Sequence, residues 1–172
     1  DNDLIADQIF CNDRSASTSD VVYSSTNYTT LTSWNSTGTQ YYYGARGRLD
    51  KSKSPVLTCP TASDKFTVGT SNGNGALTYP VGLITADEVA MAGGKYNNTN
   101  SSYYLYTKQY YWLGSPNYFD SRGYVCEFDV DSAGVLDYNH VGNGFGARPV
   151  VSLSSKAKLS GNGTYSKPYT VS

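Results

Sequence analysis

A chain of 172 residues with a net charge of −1 and 16% charged residues suits one domain with a core of its own. The near-neutral balance excludes nucleic acid as the main partner, because phosphate binding needs a basic face. No apolar run approaches the roughly 20 residues of a membrane span, and no Cys-x-x-Cys pair or His/Cys cluster marks a structural metal. The usage that stands out is tyrosine, 17 residues, alongside Ser, Asn and Gly. Tyrosine supplies rigid contact area and the small polar residues supply adaptable hydrogen bonds, as in paratopes; an extracellular β-rich protein has the same usage. The chain opens on Asp1 rather than methionine, which reads as a mature or trimmed form whose secretion or anchor segment lies outside it.

Leu4, Ile5, Ile9 and Phe10 fall at helical spacing and allow a short helix over 3–10. Val21-Val22-Tyr23 and Tyr41-Tyr42-Tyr43 have β propensity, punctuated by Gly38, Gly44 and Gly47. Cys11 and Cys59 each follow a short apolar run, as residues at strand ends do. A bridge between them would close a loop of roughly 50 residues and stabilise by ~4 kcal/mol in the chain-entropy model. It is favoured over two free thiols, and Cys126 is then left over. Ser71 to Gly75 is a loop by composition.

Residues 80–84 read as a strand leading into the clearest helix. Thr85-Ala86-Asp87-Glu88 has the pattern of a capping box, with Thr85 as N-cap and Glu88 at the third helical position. Val89 to Ala92 continue the helix, and Gly93-Gly94 end it. Strands are expected over 103–113, then a hairpin of 124–130 and 135–138 across the turn Asp131-Ser132-Ala133-Gly134. A strong terminal strand covers 148–153, and a last one lies near 168–171. The sum is α+β, one domain over 1–172.

The chemistry-bearing residues point away from catalysis. His140 is the single histidine, in a polar run with no Gly-x-Ser-x-Gly elbow around any serine. Glu127 and Asp129 share one strand face by the period of two, the pairing that glycoside hydrolysis would need, while Glu88 is better used as a helix cap; that reading is disfavoured. Asp129 to Gly134 has the opening of a calcium loop, yet the bidentate glutamate is replaced by His140, and a hairpin turn explains the same residues. Gly142 to Gly146 is glycine-rich without a helix to hold an anion. The Asn-x-Ser/Thr patterns at Asn27, Asn35, Asn97, Asn100 and Asn162 are expected by chance in this composition. Arg148, entering an apolar strand, is expected to pair with a carboxylate or backbone carbonyls. Trp112 is expected in the core.

The ordered series Gly82-Leu83-Ile84-Thr85-Ala86-Asp87-Glu88, Ala92-Gly93-Gly94, Tyr104-Leu105-Tyr106-Thr107, Tyr111-Trp112-Leu113-Gly114-Ser115-Pro116, Gly146-Ala147-Arg148-Pro149-Val150-Val151-Ser152-Leu153 and Gly161-Asn162-Gly163-Thr164 with Pro168-Tyr169 resembles a family of bacterial surface domains. These are the C-type-lectin-fold variable proteins of diversity-generating retroelements, often found behind a type IV pilin-like N-terminal helix. The likeness covers residues 80–171. It implies a C-type-lectin-like fold, with two helices around a small twisted antiparallel sheet and neighbouring termini. It also implies a diversified segment over 112–148. Adenine-directed mutation of Asn codons does not yield Lys, Glu, Gln, Met or Trp, and between Asn117 and Phe145 only Glu127 belongs to that set.

The candidate ligand-binding positions that the resemblance implies are Asn117, Tyr118, Phe119, Asp120, Arg122, Tyr124, Cys126, Asp137, Tyr138, Asn139, His140, Asn143 and Phe145. Unpaired Cys126 fits one draw at a varied position. The calcium motifs of sugar-binding lectins, Glu-Pro-Asn and Trp-Asn-Asp, are not matched. The expected function is ligand binding at the cell surface or outside it, with no cofactor, metal or catalysis, to a protein or glycan through a tyrosine-rich face. Any membrane contact would run through an N-terminal anchor, and pilus subunits are possible neighbours. The alternative is a structural pilin-like fibre subunit. An enzyme of the formylglycine-generating type would need a second reactive cysteine beside Cys126.

Overall fold

One long strand, β7 (Tyr111–Asp120), organises the chain. The computed structural model describes residues 4–15, 40–120 and 123–172, with the backbone alone at Gln40. The expected strand at 21–23, the patterns at Asn27 and Asn35, and candidate Arg122 lie outside them. β8 (Val125–Val130) and β9 (Val135–His140) follow β7 as an antiparallel meander. β6 (Lys95–Tyr96) adds to the far edge of β9 in parallel. The other edge of β7 is shared: β10 (Gly146–Ala147) pairs with its start and β3 (Gln40–Tyr42) with its end. The result is a six-stranded mixed sheet.

The rest is small. β1 (Ile5–Ala6) pairs with β12 (Ser152–Leu153), β2 (Phe10–Cys11) with β4 (Lys65–Phe66), β5 (Gly82–Leu83) with β11 (Pro149–Val150), and β13 (Leu159–Ser160) with β14 (Thr170–Val171). The helices are short. α1 (Gly44–Arg46) runs into a π-helical turn over Gly47–Ser52, and α2 spans Ala86–Met91. The molecule is therefore α+β, mostly strands, with a curled sheet.

Local chemistry explains several of these pieces. In α2 both capping-box bonds form: the Glu88 amide donates to Thr85 Oγ1 at 3.2 Å, and the Thr85 amide donates to Glu88 Oε2 at 2.8 Å. Gly93 ends the helix at φ +108°. The β8–β9 turn is closed by Asp131, whose Oδ1 accepts from the amides of Ala133 and Val135, both at 2.8 Å. Gly134 sits there at φ +78°, where an added Cβ would run into the Asn100 carbonyl. Cys11 and Cys59 form a disulfide.

The core lies on one face of the sheet. Tyr111, Leu113, Phe128, Val130 and Leu136 pack there against Ala45 and Leu49 on one side and Ala86 and Val89 of α2 on the other. The Ala86 amide donates to Ser115 Oγ at 3.0 Å, which seats α2 on β7. Arg48 spans the same region, donating to Asp87 Oδ1 and Oδ2 at 2.9 and 2.8 Å and ion-pairing with Asp13 at 2.9 Å.

Four expectations need correction. The 3–10 segment is not a helix: Ile5–Ala6 and Phe10–Cys11 are strands, because pairing with β12 and β4 outweighs helical spacing. Residues 103–109 form turns, with the Tyr106 amide donating to the Tyr103 carbonyl, and the strand begins at Tyr111 and runs on to Asp120. The 148–153 strand is split between β11 and β12, which join different partners, and it is not core. Trp112 is half-buried on the outer face of the sheet, not in the core.

Candidate functional site

Cross-strand partners share a face of a sheet, so the register sorts the candidates. Tyr118 pairs with Cys126 and Cys126 with His140; Phe128 pairs with Tyr138 and Val130 with Leu136. These residues share the face that carries the core. Pro116 pairs with Glu127 and Glu127 with Asn139; Trp112 pairs with Asp129 and Asp129 with Asp137. These point to the opposite face. The structure thus divides the candidates between two faces instead of gathering them on one.

On the first face, beyond the last core residues, an aromatic group forms. Tyr118 and Tyr138 meet edge to face, with centroids 5.5 Å apart and planes at 81°. Tyr42 tilts against Tyr118 at 5.7 Å. The Arg46 guanidinium lies 4.3 Å from the Tyr42 ring centre and 5.2 Å from that of Tyr138, and it donates to Asn117 Oδ1 at 3.1 Å. Tyr124 is 50% exposed and stands edge-on to His140 at 5.3 Å. His140 is exposed, and its Nδ1 accepts from the Gly142 amide at 3.2 Å. Burial, then the neighbouring Cys126 thiol, holds the Tyr118 hydroxyl above its usual pKa.

On the second face, Trp112 stacks on Phe145 with centroids 4.6 Å apart, and Tyr110 covers the same Phe145 at 4.6 Å. Beside them are Glu127, Asp129, Asp137 and Asn139. Asn139 donates to Asp129 Oδ2 at 2.6 Å, and the exposed Asn143 amide reaches Asn139 Oδ1 at 3.5 Å. Burial pushes Glu127 up to about 7. Burial also pushes Asp129 up to about 7, with the charges of Asp137 and Asp131 adding and the Asn139 hydrogen bond opposing. Neither the Glu127–Asp129 face nor its charge state would be found by motif; the period-two spacing is the sequence signal that places them together.

Four candidate binding positions are buried, against expectation. Asn117 is fully buried, accepting from Arg46 and using its carbonyl for the Tyr43 amide. Phe119 is buried and stacked on Tyr41 at 4.7 Å. Asp120 is fully buried at the β7–β8 turn, where its Oδ1 accepts from the Tyr124 amide at 3.2 Å. Cys126 is a free thiol, but buried, and burial raises its pKa. A side chain closed off from solvent by the frame cannot meet a ligand without moving it. Tyr118, Tyr124, Tyr138 and His140 remain on one face, and Asp137, Asn139, Asn143 and Phe145 on or beside the other.

Arg148 behaves as its setting demands: it donates to the Leu105 carbonyl at 2.6 Å and lies 4.7 Å over the Tyr111 ring. Among the described residues no group of three or more His, Cys, Asp or Glu is arranged to hold a metal ion, and no helix is long and apolar enough to cross a membrane. The Asp131 carboxylate is engaged in its own turn. No family model matches the chain, and no curated protein or solved structure does either.

Proposed function

We propose that this chain is a surface-displayed ligand-binding domain with a C-type-lectin-like fold, of the variable-protein type, and that it binds a protein or glycan through the tyrosine-rich end of its sheet. The observation that carries the reading is the Tyr118–Tyr138 edge-to-face pair, with Tyr124 and His140 on the same face, set on a frame whose own residues are buried. Tyrosines held by packing lose little rotamer freedom on contact, which otherwise costs about 0.5–1.5 kcal/mol per side chain. Aromatic anchors at the centre of a patch are also the residues that dominate binding. The pairing of β1 near one end of the chain with β12 near the other fits the expected neighbouring termini. On this reading the role is binding rather than catalysis.

The test is a panel of glycans and bacterial surface proteins, probed with the wild-type chain and with a Tyr124→Ser, His140→Ser double variant. These two side chains are exposed, so the fold should survive their loss. A ligand bound by the wild type should be lost or weakened at least tenfold by the double variant. Unchanged binding would place the contact elsewhere.

A second reading, a structural fibre subunit, is favoured by one observation. The β13–β14 hairpin stands out with Leu159, Tyr165, Tyr169 and Val171 all exposed, and such apolar groups often mark a contact. Concentration-dependent assembly that Tyr165→Ser and Tyr169→Ser abolish would support it; a strictly monomeric chain at high concentration would count against it.

A further inference from the structure

Arg46 lies at the tyrosine-rich end of the sheet as a cation without an anion. It is half-buried, and no carboxylate of the described residues is within ion-pair distance of it. Asp50, four residues on, is paired with Lys51 at 3.2 Å, and Asp120 accepts from the Tyr124 amide at the β7–β8 turn. The guanidinium is held instead by the rings of Tyr42 and Tyr138 and by one hydrogen bond, from Nη1 to Asn117 Oδ1 at 3.1 Å. The polar atoms around it lack acceptors. Arg46 Nε, Asn117 Nδ2 and the Tyr96 hydroxyl are each buried without a hydrogen-bond partner, and the Asn117 and Tyr96 side chains belong to residues more than nine-tenths buried. Burial pushes the Tyr96 hydroxyl up to about 12, with the Arg46 charge and the Asn117 amide opposing, which places the three groups together. All three can donate, so the missing partner is an acceptor.

We infer that Arg46 is the seat for the carboxylate of an acidic sugar, such as a hexuronic acid, whose ring lies against the tyrosines; this rests on the reading of the tyrosine-rich end as the binding face. With Nη1 taken by Asn117, the Nε–Nη2 edge of the fork is left, the geometry that matches a carboxylate with two hydrogen bonds. Nη2 carries no hydrogen bond and, unlike Nε, stays open to solvent. A carboxylate entering from solvent meets it first. A sugar ring carries its carboxylate beside hydroxyls and an apolar C–H face. The half-exposed Tyr124 ring suits the C–H face, and exposed His140 beside it suits a hydroxyl. A peptide anchored by its side chains needs a pocket, and the cavity of about 510 Å³ in this molecule lies elsewhere, beside the Cys11–Cys59 bridge.

The experiment titrates the full chain with methyl glucuronide, with its methyl ester, with methyl glucoside and, separately, with N-acetyl-glutamate methylamide. The readouts are the Arg46 Nε–H resonance, assigned with Arg46→Lys, and the Tyr124 ring resonances. The glucuronide should shift both saturably. The ester and the glucoside keep the ring and lack the charge, and should bind about tenfold more weakly or worse. These comparisons change only the ligand, so they hold should an Arg46 variant fail to fold. Arg46→Lys keeps the charge and loses the fork, and should weaken glucuronide binding about tenfold. Trp112→Phe, on the opposite face, should leave it unchanged. Equal binding of the three sugars, no saturable shift with the glucuronide, or binding of the glutamate amide alone would overturn the assignment. So would a ligand that the Tyr124→Ser, His140→Ser variant loses and Arg46→Lys keeps; that outcome leaves the tyrosine face in place and removes the carboxylate seat from it.

Discussion

Tyr138 meets Tyr118 edge-on at 5.5 Å and lies 5.2 Å from the Arg46 guanidinium, so the binding end of the sheet is fastened to the frame from below. Tyr124 is half exposed, with its ring edge-on to the exposed His140. The two kinds of tyrosine should therefore differ in stability. Tyr118→Ala and Tyr138→Ala should each cost about 1–3 kcal/mol, since an aromatic pair and partial burial are lost. Tyr124→Ala should stay within about 0.5 kcal/mol. Urea unfolding of the three variants checks this; equal costs would mean that the aromatic group is not built in layers.

Asp129 and Glu127 give a pH signature. Their folded pKa values lie near 7, above the ordinary carboxylate value near 4. Between about pH 4 and pH 7 the folded chain holds protons that the unfolded chain has released, so this pair destabilises progressively as pH rises through that window. Asp129→Asn removes the largest part of the effect while keeping the Asn139 contact. Its melting temperature should match the wild type near pH 4 and exceed it at pH 8. A constant difference across the range would show that Asp129 is not held protonated by its surroundings.

The disulfide and the free thiol should respond oppositely to reagents. Reducing Cys11–Cys59 releases a closed loop with a sequence separation of 48, worth about 4 kcal/mol in the chain-entropy picture. Reduction should lower the melting temperature clearly. Cys126, buried with a raised pKa, should resist an aromatic disulfide reagent in the native state and react on denaturation. Rapid native labelling would show that Cys126 opens to solvent.

Arg48 is the ionic centre of the frame. It serves Asp87 through two hydrogen bonds and Asp13 through an ion pair, and both carboxylates are buried. Arg48→Met would leave two buried charges without a cation, at a cost of about 3–5 kcal/mol. Adding Asp13→Asn and Asp87→Asn should recover part of that loss. A triple variant no better than Arg48→Met would mean that the stem packing of Arg48, not its charge, is what matters.

What the sequence made legible follows from the range of each interaction. The capping box at Thr85 and Glu88, the Asp131–Gly134 turn, the Cys11–Cys59 bridge and the carbonyl partner of Arg148 rest on local chemistry or a single pairing. The extent of β7 was not legible. Pro116 and Asn117 look like strand breakers, yet the strand absorbs them through register shifts between Trp112 and Pro116 and between Pro116 and Tyr118. The split of the candidates has a simpler cause: the consecutive residues Asp137, Tyr138, Asn139 and His140 alternate between the two faces of β9, so a contiguous set cannot share one face. The burial of Asn117, Phe119 and Asp120 depends on Arg46, on Tyr41 and on the β7–β8 turn respectively, and local patterns in the 117–120 segment do not reveal those partners. Residues 3–10 show the same limit, with helical spacing overruled by strand partners far along the chain.

The most direct measurement compares two displayed libraries, one randomised at Tyr118, Tyr124, Tyr138 and His140, the other at Tyr111, Leu113, Phe128 and Leu136. The readout is the fraction of members that survive protease challenge, followed by selection of survivors against unrelated protein and glycan targets. The account predicts that many members of the first library stay folded and yield binders to several targets, while the second collapses. Equal collapse of both libraries, or a folded first library from which no target selects a binder, would contradict the claim that a fixed frame presents an exchangeable binding face.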